Sequence, residues 1–233
     1  MIRVVSFDVW NTILNLQEFY YEIARHISEL TEKDFSEIIE KIGEAYKKAK
    51  EARRQGKFNE ITIVNESLKL ASQIIGVSED ILRRSMAKAT YTIDPKKAII
   101  PGADVAISRL KSSGVNIAIL GNVLFWPGAY TRIIMERTGL ADLIDKQFYA
   151  DEIGVSKPHN KAFRIVMEHF KITNPTQMAH VGDSFYEDFG GAINARIVGI
   201  LIDKDIDKPI SFAENQGHVI PDIRFVPDII SRI

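Results

Sequence analysis

The chain has 233 residues, 45% apolar and 26% charged, which fits one large packed domain or one domain with an insertion and excludes disordered and collagen-like classes. It contains no Cys, so thiol catalysis, cysteine-ligated zinc, iron–sulfur clusters and disulfide-dependent folding are excluded, and a cytoplasmic location is expected. With 30 Lys plus Arg against 31 Asp plus Glu there is no net field to draw in nucleic acid, and no apolar run approaches the ~20 residues that span a bilayer.

In chain order, residues 2–9, IRVVSFDV, form a β-branched apolar run that predicts a buried parallel strand with Asp8 at its carboxyl tip. From about Glu18 to Ala89 the period becomes helical. Phe19, Ile23, Ile27 and Leu30 share one stripe, and Phe35, Ile38, Ile39, Ile42, Ala45, Tyr46 and Ala49 another. Thr31 with Asp34, and Ser78 followed by Glu79 and Asp80, read as helix starts. The basic run KKAKEARR at 47–54 reads as a solvated helix end. Pro101-Gly102 opens a helix to Lys111, and Gly114 precedes a strand at 115–121. Strands at 147–150, 178–182 and 197–202 then alternate with helical patterns at 128–138, 159–170 and 187–195, with a short last strand expected near Arg224–Val226. Such alternation predicts an α/β fold with a doubly wound parallel sheet. Residues 1–15 and 97–233 are assigned to the sheet domain and 16–96 to an inserted helical domain. That insertion has the size of a lid, with hinges expected near Asn15-Leu16 and Thr92–Lys97.

Ligands of an open parallel sheet bind beyond the carboxyl ends of its strands. The first strand delivers Asp8, Trp10, Asn11 and Thr12 there; the second, Gly121 and Asn122; the fourth, Gly182, Asp183 and Ser184, with Asp188 in the next helix. Lys157, in the loop GVSKP, leads into a helix. Each residue alone has an ordinary explanation: a strand-end Asp caps or turns, Asn122 starts a turn, and Asp188 complements a helix dipole. Together, in order after their strands, they point to a site. Carboxylates gathered at one edge repel unless a cation joins them, and an oxygen-only donor set suits a hard ion such as Mg²⁺. Trp126-Pro127 reads as packing or as a wall of the site, His180 as a core histidine inside a strand, and His159 as the histidine nearest the site.

The chain resembles the haloacid dehalogenase superfamily, with a helical cap inserted after the first strand of a Rossmann-like core. VVSFDVWNT matches the opening motif through Asp8 and Thr12, with Trp10 in place of its second Asp. ILGN matches the second motif with Gly121 in place of Ser or Thr, followed by Asn122. GVSKP supplies the Lys, and VGDSFYED supplies Asp183 and Asp188. The resemblance implies that Asp8 is a covalent nucleophile and Lys157 its cationic partner. It implies that Thr12, Gly121, Asn122 and Lys157 contact substrate. Mg²⁺ would be held by Asp8, the backbone carbonyl at Trp10 and Asp183, with Asp188 as a further ligand or support.

The function so implied is Mg²⁺-dependent hydrolysis of a small phosphorylated metabolite through an aspartyl-phosphate intermediate. Trp10 cannot protonate a leaving group, a contribution typically of ~10²–10⁴ in rate, so the expected substrates are phosphates whose leaving groups need little protonation, such as acyl or aryl phosphates, unless the cap supplies an acid. A metal-independent 2-haloacid dehalogenase using Asp8 is the alternative that Trp10 favours, because halide leaves without a proton. A third reading is a non-catalytic protein that binds a phospholigand or a partner. A small-molecule substrate is expected, with neither nucleic acid nor membrane as partner; the sequence does not give the oligomeric state.

Overall fold

The computed structural model describes residues 1–233. In chain order it forms β1 (Val4–Phe7), α1 (Leu16–Thr31), α2 (Phe35–Arg54), α3 (Ile63–Ile75), α4 (Glu79–Thr92), α5 (Pro95–Ala98) and α6 (Ala103–Ser112). It continues with β2 (Asn116–Gly121), α7 (Gly128–Arg137), β3 (Lys146–Tyr149), α8 (Ala150–Ile153), α9 (Asn160–His169) and β4 (Met178–Gly182). Last come a π-helical turn at Phe185–Phe189, α10 (Gly190–Asn194), β5 (Val198–Ile202), β6 (Ile210–Phe212), β7 (Gly217–Ile220) and α11 (Val226–Ile230). No helix is long and apolar enough to cross a membrane.

Two compact units result. The first comprises Met1–Leu14, Ile99–Asn122 and Gly139–Ile233 and contains the whole sheet, in the order β3-β2-β1-β4-β5-β7-β6. All neighbours run parallel except β6 against β7. Val5, Phe7, Ile117 and Ile119 are as buried as Val4, Ala118 and Leu120, so the central strands are covered on both faces, as a parallel sheet requires. On the face of Val4, Ala118, Leu120 and Met178, the sheet packs against Ala162, Phe163 and Val166 of α9.

The expected strand near Arg224–Val226 is instead a helical turn, Ile223–Phe225, running into α11. Asp222 accepts a hydrogen bond from the Arg224 N–H at 2.8 Å, and Pro227 sits in the first turn of α11, both of them helix-start chemistry. The last strands are β6 and β7, and all three residues of β6 are exposed.

The second unit comprises Asn15–Ala98 and Val123–Thr138. Its long helices follow the apolar stripes of the sequence: α1 buries Phe19, Ile23 and Ile27, and α2 buries Ile38, Ile42, Ala45 and Ala49. Side chains close their first turns. Asn15 accepts from the Gln17 N–H at 3.1 Å, Asp34 from that of Glu37 at 2.9 Å, and Ser78 from that of Ile81 at 3.2 Å. Thr31 belongs to the end of α1, its hydroxyl donating to the Ile27 carbonyl. Val123–Thr138, which the sequence reading kept with the sheet, groups with these helices for a packing reason. Trp126 stacks on Tyr46 with centroids 5.6 Å apart and meets Phe19 edge-on at 5.2 Å. The wall or packing question for Trp126 is thus answered by packing inside the helical unit.

Candidate active site

Asp8 directly follows β1, and its N–H donates to the Val181 carbonyl at 2.8 Å, extending the β1–β4 ladder by one residue. The chain then turns sharply: the N–H groups of Thr12, Ile13 and Leu14 all point to the Val9 carbonyl, and Asn11 adopts a left-handed φ of 61°. That turn leaves Trp10 only 7% exposed and encloses the Thr12 hydroxyl, which makes no hydrogen bond.

Lys157 is the centre of the constellation. Its side chain is 1% exposed, and its Nζ donates to Asp8 Oδ1 at 2.8 Å and to Asp188 Oδ1 at 2.7 Å. Asn122 fixes the backbone behind it: Oδ1 accepts from the Lys157 N–H at 2.8 Å, and Nδ2 donates to the Lys157 carbonyl at 3.0 Å. The same Nδ2 also reaches Glu187 Oε2 at 3.2 Å. The Asn122 carboxamide thus braces the lysine loop, a role that stands beside the substrate contact implied by the resemblance.

Asp188 is equally occupied. Oδ1 accepts from Lys157 and from His180 Nε2 at 3.1 Å, and Oδ2 accepts from the Ser184 N–H at 2.9 Å. Its approach to β4 depends on Gly182, where an added Cβ would sit 2.2 Å from Asp188 Cγ. Gly121 has a packing cause as well. A Cβ there would meet the Tyr149 ring at 3.0 Å and Val9 Cγ2 at 3.3 Å, so Tyr149 fills the room that a Ser or Thr side chain would need.

Carboxylate oxygens of Asp8, Asp183 and Asp188 lie within 4.8 Å of one another. Three carboxylates share this edge with the Lys157 ammonium, and the electrostatics reflect the crowding. Burial pushes Asp8 up to about 7, with Lys157 opposing and the Asp188 and Asp183 carboxylates adding to the rise. Burial also acts on Asp188, but Lys157 and His180 outweigh it and hold its carboxyl well below the usual range. Lys157 loses solvation too, yet Asp188 and Asp8 keep it charged, with its pKa raised. An all-oxygen donor set of this kind fits a hard divalent cation. Asp188 already accepts from Lys157, His180 and the Ser184 N–H, so the less occupied donors are Asp183 and Asp8, whose Oδ2 has no hydrogen-bond partner. Asn11, Asp183 and Phe185, with Leu201–Asp205, line an open cleft of about 450 Å³.

The sequence reading gathered Asp8, Lys157, Asp183 and Asp188 at one sheet edge, and the structure brings these four together. It missed two buried participants, Glu187 and His180. His180 is fully buried against the site, with its Nε2 3.4 Å from Lys157 Nζ. A signal was present: Ser6 and His180 are both polar inside apolar strand runs, and the register of the structure sets them opposite each other. His159 lies elsewhere in role, as the exposed cap of α9 accepting from the Lys161 N–H.

Comparison with known proteins agrees with this architecture. Over 96 residues the chain is 31% identical to the pyrimidine 5'-nucleotidase YjjG of Escherichia coli, a stretch that covers 41% of each chain, so it spans less than half of that relative. The Bacillus subtilis protein YfnB, solved bound to magnesium, superposes with a TM-score of 0.76 over 98% of both chains at 19% identity. The L-2-haloacid dehalogenase of Xanthobacter autotrophicus with chloropropionic acid covalently bound gives a TM-score of 0.72 over 99% of both chains at 16% identity. At these identities the two structures speak for the fold. The sequence itself matches the haloacid dehalogenase-like hydrolase profile over residues 2–196, well over half its length, and the chain is a member of that hydrolase family.

Proposed function

We propose that the protein is a Mg²⁺-dependent phosphohydrolase acting on a small phosphorylated metabolite, with Asp8 as nucleophile. The observation that carries this reading is the arrangement of Asp8: Lys157 holds Oδ1 at 2.8 Å, Oδ2 has no partner, and the Asp183 carboxylate stands beside it. Asp8, Asp183 and the main-chain carbonyl of Trp10 would hold the cation, while Asp188 acts through Lys157. When bound, the cation supplies positive charge against the phosphoryl oxygens and keeps Asp8 ionised.

Asp8 Oδ2 attacks phosphorus, the bond to the leaving oxygen breaks, and the phosphoryl group becomes an aspartyl phosphate. Water then attacks phosphorus, releasing inorganic phosphate and restoring the Asp8 carboxylate. Lys157, fixed on both sides, keeps Oδ1 in place and offsets the charge that gathers in each step. Trp10 offers no proton, so leaving groups that depart as stable anions, acyl and aryl phosphates, suit the site best. The nucleotidase named above is a phosphatase, and its similarity supports the same reaction class.

Trp10 also favours a second reading, displacement of halide from a 2-haloacid. The acidic edge weighs against it, because halide displacement needs no cation and leaves the gathering of Asp8, Asp183 and Asp188 without a use. Hydrolysis of p-nitrophenyl phosphate and acetyl phosphate, with Mg²⁺ and with EDTA, separates the two when run beside chloride release from 2-chloropropionate. Phosphate release abolished by EDTA is the expected result; metal-independent chloride release would replace this reading by the second.

A further inference from the structure

One buried polar cluster is not used by the reaction just described. Ser6 in β1 and His180 in β4 lie opposite each other in the parallel register, both fully buried, with Ser6 Oγ 2.8 Å from His180 Nδ1. On its other side the imidazole reaches Asp188, Nε2 to Oδ1, at 3.1 Å, and Phe163 of α9 closes over the ring edge-on at 5.2 Å. The tautomer follows from the partners. The Asp188 carboxylate only accepts, so Nε2 carries the proton; Nδ1 is then the acceptor for the Ser6 hydroxyl. That hydroxyl has a second acceptor within reach, the Ala179 carbonyl, but at 3.3 Å it is the poorer one.

His180 Nε2 and Lys157 Nζ, 3.4 Å apart, are therefore two donors side by side that converge on one oxygen of Asp188. Neither donates to the other. Burial and the neighbouring Lys157 hold His180 down to about 4, so at neutral pH it gives a hydrogen bond without adding a second cation beside the lysine. A side chain of equal volume without a donor would leave Asp188 Oδ1 to Lys157 alone. The carboxylate would then be held only by the Ser184 N–H and by Lys157 itself, so that Asp188 and the lysine could shift together.

We propose that His180 is a positioning residue: with its tautomer set by Ser6, it fixes Asp188 Oδ1 so that Lys157 Nζ is delivered to Asp8. The assignment rests on Asp8 as the reacting group, but its structural consequence does not depend on the substrate.

The test compares His180→Leu, His180→Gln and His180→Asn. Gln places an amide N–H near the position of Nε2, whereas Asn falls short of it. With p-nitrophenyl phosphate, His180→Leu should lower kcat about 10–100-fold, as loss of a supporting hydrogen bond typically does. KM should change by less than about threefold, since the missing contact is not to substrate. His180→Gln should recover most of kcat and His180→Asn should not. In an Asp188→Asn background, removing His180 should cost little more, because the two act as one unit. Equal kcat among the folded variants would overturn the proposal. If the wild-type protein turns over none of these phosphates, the phosphatase reading fails and the crystal structures decide this one. In His180→Leu, or in His180→Asn should Leu not fold, Lys157 Nζ is expected to leave hydrogen-bond distance of Asp8 while His180→Gln keeps it. An unmoved lysine would overturn the proposal whatever the substrate.

Discussion

The two units bury different kinds of side chain. In the helical unit, α1 and α2 close on Phe19, Ile23, Ile27, Ile38 and Ile42, all fully buried, and Trp126 joins them. In the sheet unit, Ser6, Lys157, His180, Glu187 and Asp188 are also buried, and all five are polar or charged. Burying apolar surface stabilises by roughly 25 cal/mol per Å², whereas an enclosed ion pair often contributes no more than a well-packed apolar replacement would. A chain that encloses a lysine between two aspartates has given up stability for geometry, and the difference between the units separates what the fold needs from what the site needs.

The sharpest break of that contrast is Asp8→Asn, which removes the nucleophile and should lower turnover about 10³-fold or more while the isosteric amide leaves the fold intact. Thermal unfolding by circular dichroism checks the second half of that statement. Next comes Lys157→Met. Without the ammonium, the buried Asp188 carboxylate loses its cation and faces the partly exposed Asp8, and breaking a buried pair typically costs about 3–5 kcal/mol, measurable by urea unfolding together with loss of activity. Ile27→Ala in the helical unit should cost a similar ~2–5 kcal/mol through the cavity it leaves. The contrast sharpens if EDTA and Mg²⁺ shift the stability of Lys157→Met and wild type differently but shift Ile27→Ala and wild type alike.

The smallest effect is a pH dependence. His180 titrates at about 4 when folded against 6.5 when unfolded, so between those values the unfolded chain binds the extra proton and stability is lost as pH falls through that window. Asp8, raised from 3.8 to about 7, acts in the opposite direction over much of it. Both proteins of a His180→Gln comparison keep Asp8, so its contribution cancels. The Tm of the variant minus that of wild type should therefore rise as pH is lowered from 7.5 to 5 (a range chosen to bracket the unfolded value). A constant difference would contradict the low pKa.

What was legible in the sequence follows the same division. Asp8, Lys157 and Asp183 could be read because each stands just past a strand or in the loop before a helix, where chain order alone brings residues to one edge. The role of Asp188 was only half legible, since spacing from Asp183 places it near the site but cannot show Lys157 and His180 occupying one of its oxygens. His180 was hidden by its strand: a lone histidine among Met178, Ala179 and Val181 reads as core until its cross-strand partner Ser6 is known. The hold of Asn122 on Lys157 could not be read, because the two lie 35 residues apart in the chain. Val123–Thr138 followed a strand and so read as a crossover in the sheet unit, while the partners that claim Trp126, Phe19 and Tyr46, lie about a hundred residues earlier in the chain. In the hairpin of β6 and β7, β6 is too short and too exposed to register, and β7, though largely buried, spans only four residues.

The most direct test of the central claim, that Asp8 takes up the phosphoryl group, is mass analysis of peptides from acid-quenched protein after brief mixing with acetyl phosphate and Mg²⁺. The expected result is a gain of one phosphoryl group on the peptide that contains Asp8, absent from Asp8→Asn and absent when EDTA is added first. Steady phosphate release with no label on that peptide, or label elsewhere that persists in Asp8→Asn, would contradict it.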